Sequence, residues 1–68
     1  MSENAARQFQ SMAEGLISTG MHLREIAKES SLSVATIHRA ACGDSRQPSW
    51  EAYTRLERVW IARGKPGK

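Results

Sequence analysis

Apolar residues recur at helical spacing in four stretches of the chain, and no stretch alternates as a half-buried strand would. The first stretch predicts a helix from about Asn4 to Thr19, with Phe9, Met12, Ala13, Leu16 and Ile17 on one stripe. Asn4 suits its N-cap and Gly20 the residue past its end. Gly15 interrupts it and should weaken it by roughly 1 kcal/mol relative to Ala. A second helix, Leu23 to Ser30, is expected to bury Leu23, Ile26 and Ala27. The third starts with Ser33 as N-cap and ends at Gly43. After the polar loop "GDSRQP", Ser49 caps a fourth helix that places Glu51 in its first turn and continues to about Ala62.

The break between the second and third helices needs a reason, because one unbroken helix is cheaper to nucleate. With Ile37 at zero on a helical wheel, Ala40, Ala41 and Val34 fall within about 60° of it. Ala35, His38, Arg39 and Cys42 occupy the far side, and Thr36 lies between. A small inner face, with Ala27 opposite, lets two helices cross steeply after a short turn. The break thus lets the third helix leave the body of the domain and present its outer face. A helix about 10–12 Å across fits the major groove of B-DNA.

Composition narrows the field. Sixty-eight residues make one domain at most, and 40% hydrophobic content suffices for one small core. Cys42 is the only cysteine, so no disulfide forms within the chain and a reducing compartment is expected. The start of the chain has no signal-peptide pattern, and the longest apolar run, "VWIA", cannot span a bilayer. The expectation is a soluble cytoplasmic protein. Up to Ile37 there are three basic and four acidic side chains, whereas from His38 onward there are seven basic and three acidic. Such a basic half points to a polyanion, most often nucleic acid. His38 and Cys42 stand four apart on a helix, but no second pair completes a metal site. No nucleophile triad, HExxH or Gly-rich phosphate loop occurs, so neither enzyme activity nor a cofactor is expected.

The segment "LREIAKESSLSVATIHRA" resembles the helix-turn-helix of the Cro and lambda-repressor class of regulators. Its small residue is Ala27, its turn Ser31-Leu32-Ser33, and its recognition helix opens Ser33-Val34-Ala35-Thr36-Ile37. "ACGDSRQPSWEAYTRL" extends the likeness as a Gly-x-x-x-Pro-Ser loop leading into a further helix, so that it covers about Phe9 to Val59. Two departures stand out. Ser31 replaces the Gly usual where φ is positive, which costs about 1–2 kcal/mol. Leu23 replaces a Gln that often binds phosphate.

The resemblance implies an all-α, lambda-repressor-like four-helix domain over residues 1–63, with the helix-turn-helix at 23–41 and a flexible basic tail at 64–68. It implies base contacts from Val34, Ala35, Thr36, His38 and Arg39, and phosphate contacts from Ser33, Ser45, Arg46 and Gln47. Arg39 could read guanine through two nitrogens or grip phosphate. Apolar residues cover more than half of the fourth helix, where one small core needs a stripe of about 100°. The surplus, assigned to Trp50, Val59, Trp60 and Ile61, is expected to face a second copy. The leading reading is a phage-like homodimeric repressor on an inverted-repeat operator, in the bacterial cytoplasm at the nucleoid. Alternatives are an antitoxin or autoregulatory subunit of a two-gene operon, and a helical adaptor that binds protein and no DNA.

Overall fold

Side-chain caps delimit the helices. The computed structural model describes residues 3–44 and 48–67. Its helices are α1 (Glu3–Ser18), α2 (Leu23–Ser30), α3 (Val34–Cys42) and α4 (Trp50–Ala62), and no strand occurs among the described residues. Ser33 Oγ accepts from Thr36 N–H at 3.1 Å, and Ser49 Oγ accepts from Ala52 N–H at 3.1 Å. Each satisfies a first-turn donor that has no partner within the helix. At the start of α2, Glu25 Oε1 accepts from His22 N–H at 3.0 Å, a role in which the carboxylate also faces the positive end of the helix. Gly43 ends α3 at φ 80°, its N–H on the Ala40 carbonyl. α1 begins at Glu3, so Asn4 lies inside its first turn and is not the predicted cap.

One core joins all four helices: Phe9, Met12, Ala13 and Leu16 from α1, Ile26 and Ala27 from α2, Ile37 and Ala40 from α3, Leu56 and Val59 from α4. α1 and α2 each pack against both α3 and α4. Three expected core residues lie further out. Ile17 is exposed because it stands about 100° from Leu16, at the edge of the α1 arc and in its last turn. Leu23 is half-buried at the start of α2. Val34, 44% exposed, sits in the first turn of α3, beyond the reach of the core.

The turn between α2 and α3 takes the backbone conformation its residues were expected to need. Ser31 is left-handed, with φ 60° and ψ 30°. Leu32 N–H closes the turn on the Ala27 carbonyl at 3.0 Å, and Arg55 Nη1 donates to the Ser31 carbonyl at 3.2 Å. Because that contact uses main chain, Ser31→Gly preserves it while removing the Cβ conflict. Gly also gives the unfolded chain more freedom, which offsets part of the gain. The net expectation is a stabilisation of about 0.5–1 kcal/mol, read by urea denaturation. A variant less stable than the parent would show that the serine hydroxyl holds the turn.

Residues 63–67, after α4, do not run free. Gly64 and Lys65 have φ 85° and 54°, and reverse the chain. Lys65 N–H then bonds the Trp60 carbonyl at 2.9 Å, and Trp60 Nε1–H donates to the Pro66 carbonyl at 2.9 Å. A half-buried indole N–H needs an acceptor, and this one is local. Where composition reads as a flexible tail, residues 64–67 are therefore folded back on the domain. Gly15 is the reason they fit, since a Cβ there would overlap the Pro66 carbonyl oxygen. Gly15→Ala should gain about 1 kcal/mol of helix propensity and lose a hydrogen bond of similar worth. Overall stability should change little while the tail detaches. In a Trp50→Phe background the Trp60 emission should shift to the red, and an unchanged spectrum would count against the docked tail.

Candidate nucleic-acid interface

α3 is held from one side only. Ile37 and Ala40 are buried, Ala41 is half-buried, and Val34, Ala35, His38, Arg39 and Cys42 are exposed. The inner and outer faces expected from the wheel are thus present, with Val34 moved to the outer set. Ala35 adds no bulk, so a surface laid against α3 can approach its backbone closely. Among the described residues the Arg39 side chain forms no ion pair or hydrogen bond. His38 Nε2 and Cys42 Sγ are 3.7 Å apart, a loose polar contact along one edge of the face. No group of three or more His, Cys, Asp or Glu that could hold a metal occurs among the described residues.

Thr36 and Ser33 play a different part from the rest. Thr36 is half-buried, and its Oγ1 lies 2.8 Å from Ser33 Oγ, the atom that accepts from its own N–H. The two side chains form the start of α3 and orient its first turn. A contact from either to DNA must share a hydroxyl already used in the cap. Ser45, Arg46 and Gln47, the expected phosphate contacts of the loop, lie outside the described residues.

α3 itself carries Arg39 and no carboxylate, and the exposed Asp44 follows directly after Gly43. The nearest acidic groups on α2 are already engaged, Glu25 in the cap and Glu29 in an ion pair with Arg63 after α4. That ion pair and the Arg55–Ser31 bond tie the α2–turn unit to α4. Neither link is legible in the sequence. The partners lie 24 and 34 residues apart, and no periodic pattern connects them.

The residues assigned to a dimer surface divide. Trp50 and Ile61 are 68% and 50% exposed. Val59, only 6% exposed, belongs to the core, because it shares the inward side of α4 with Leu56; its assignment to an interface is corrected. Trp60 is half-buried, packed on the core with its N–H on Pro66, and offers only an edge. Tyr53 stacks between Phe9 and Trp50, with ring centroids 6.3 and 6.4 Å away. Partial burial, reinforced by the nearby Glu57 carboxylate, raises the Tyr53 pKa.

No helix among the described residues is long and apolar enough to cross a membrane. Compared with protein-family models, curated proteins and solved structures, the chain finds no match in any of the three.

Proposed function

We propose that the protein is a sequence-specific binder of double-stranded DNA, in the class of helix-turn-helix domains. Within that class we read it as a Cro-like transcription regulator, a repressor that binds an inverted-repeat operator as a homodimer. It acts in the cytoplasm, at the nucleoid of a bacterial cell. The observation that carries this reading is the short α3, anchored on one face by Ile37 and Ala40 and open on the other. Its nine residues span about 14 Å, comparable to the width of the major groove. Val34, Ala35, His38 and Arg39 then face base edges, and the likeness of "SVATI" to the recognition helices of Cro-type regulators supports the same orientation.

Two copies follow from size. The longest dimension of the domain is 28 Å, while successive major grooves on one face of DNA lie about 34 Å apart. One copy therefore presents one recognition helix, with few phosphate contacts and weak affinity at physiological salt. The direct test is a gel shift with the DNA upstream of the protein's own gene, repeated over a range of salt. The expected result is a saturable complex at a discrete site that weakens steeply as salt rises. Equal, weak binding to every fragment would overturn sequence-specific regulation, and no binding at low salt would favour the protein-binding adaptor.

A further inference from the structure

α4 carries a second stripe that faces away from the core. Trp50, Thr54, Glu57 and Ile61 recur at i, i+4, i+7 and i+11 and fall within about 60° on the wheel. Its two ends are the most exposed large apolar side chains of α4. Between them Thr54 donates its hydroxyl to the Trp50 carbonyl at 2.9 Å, which leaves its methyl for the stripe. The row has apolar ends beyond the needs of one core, which call for a cover, and a Glu57 carboxylate between them on the side away from Glu51 and Arg58.

Charge on its flank identifies that cover. Glu51, near the N-terminus of α4, and Arg58, near the C-terminus, lie on one edge of the stripe, seven residues or about two turns apart. Arg58 is exposed and has no ion pair among the described residues. The Glu51 carboxylate, largely in water, has only a 3.4 Å contact with the half-buried Arg55. The edge is thus acidic at one end and basic at the other. Such a surface is complementary to itself when turned around.

We infer that the domain pairs with a second copy through antiparallel α4 helices, with Trp50 against the other copy's Ile61 and Glu51 against its Arg58. A two-fold axis at the level of Arg55 and Leu56 sets Trp50 level with Ile61 and leaves Glu51 and Arg58 about 3 Å apart along the axis. Long side chains bridge that offset across a helix spacing of about 8–10 Å. The pairing uses neither α3 nor its open face. It deepens the DNA-binding reading, which requires two copies, but its geometry derives from α4 alone.

Sedimentation of the whole chain tests it, with folding followed by circular dichroism. The parent should show a concentration-dependent monomer–dimer equilibrium. Glu51→Arg and Arg58→Glu should each raise the dimer dissociation constant at least about tenfold, because every reversal acts twice in a symmetric contact. The double exchange, Glu51→Arg with Arg58→Glu, should return to within about threefold of the parent, the small residue reflecting the charge now misplaced at the start of α4. A parent that stays monomeric at the highest concentration sedimentation can read would overturn the pairing. So would single reversals that dimerise like the parent, or a double exchange no better than either single. A monomer that still binds one half-site sinks the pairing alone. A dimer with no affinity for DNA keeps the pairing and sinks the DNA reading.

Discussion

Ile37→Ala should cost roughly 2–5 kcal/mol and abolish operator binding. α3 puts only two side chains fully into the core, Ile37 and Ala40, and Ala40 offers a single methyl. Ile37 therefore supplies most of the apolar area that keeps the helix docked. The cavity left by its loss cannot close by collapse, because Leu16, Ile26 and Leu56 are themselves fully buried and held by other helices. A domain of this length has about 3–10 kcal/mol of stability in all. The substitution thus removes a large share of it, and α3 loses its orientation before the rest of the chain loses its helices. Urea denaturation gives the magnitude. Ile37→Val is the graded control, expected to cost about 0.5–1.5 kcal/mol and to leave DNA binding largely intact. If Ile37→Ala melts within a few degrees of the parent, α3 is anchored by something other than this side chain.

What could be seen in the sequence was whatever a local pattern controls. Ser33 and Ser49 are caps because a hydroxyl three residues before a free N–H has one good place to go, and both stand where the order of residues put them. Ser31 was legible only through the resemblance, which usually has Gly at this place in the turn, and its φ is indeed positive. The misses share a cause as well. Val59 and Trp50 both count as apolar positions of α4, yet one lies beside Leu56 over the core and the other lies on the far side of the helix. A wheel with apolar residues over more than half its circumference cannot say which part faces inward until α1 and α2 are in place. Gly15 looked like a local weakness of α1, and its meaning emerged only from Pro66, 51 positions further on. The Glu29–Arg63 pair is of the same kind. Charges on separate helices carry no phase relation along the chain, so the fold alone brings them together.

Arg39→Ala should weaken operator binding by roughly 1–3 kcal/mol while leaving the domain folded. The fold is safe because the Arg39 guanidinium is exposed and has no hydrogen bond or ion pair among the described residues, so truncation removes no internal polar contact. Two substitutions then separate the ways it could act. If the guanidinium reads guanine through two parallel hydrogen bonds, Arg39→Lys loses much of the same affinity, since an ammonium cannot reproduce the fork. Discrimination against a changed base at that position falls with it. If the guanidinium grips a phosphate, Arg39→Lys stays close to the parent and Arg39→Ala lowers the slope of log affinity against log salt by about 1, equally on operator and unrelated DNA. Thr36→Ala cannot substitute for this test, because its hydroxyl is shared with the Ser33 cap and its loss also loosens the start of α3. Titrating the three proteins against one operator and one scrambled duplex at several salt concentrations gives both quantities. An Arg39→Ala protein that matches the parent in affinity and in salt slope would take the outer face of α3 out of the DNA interface.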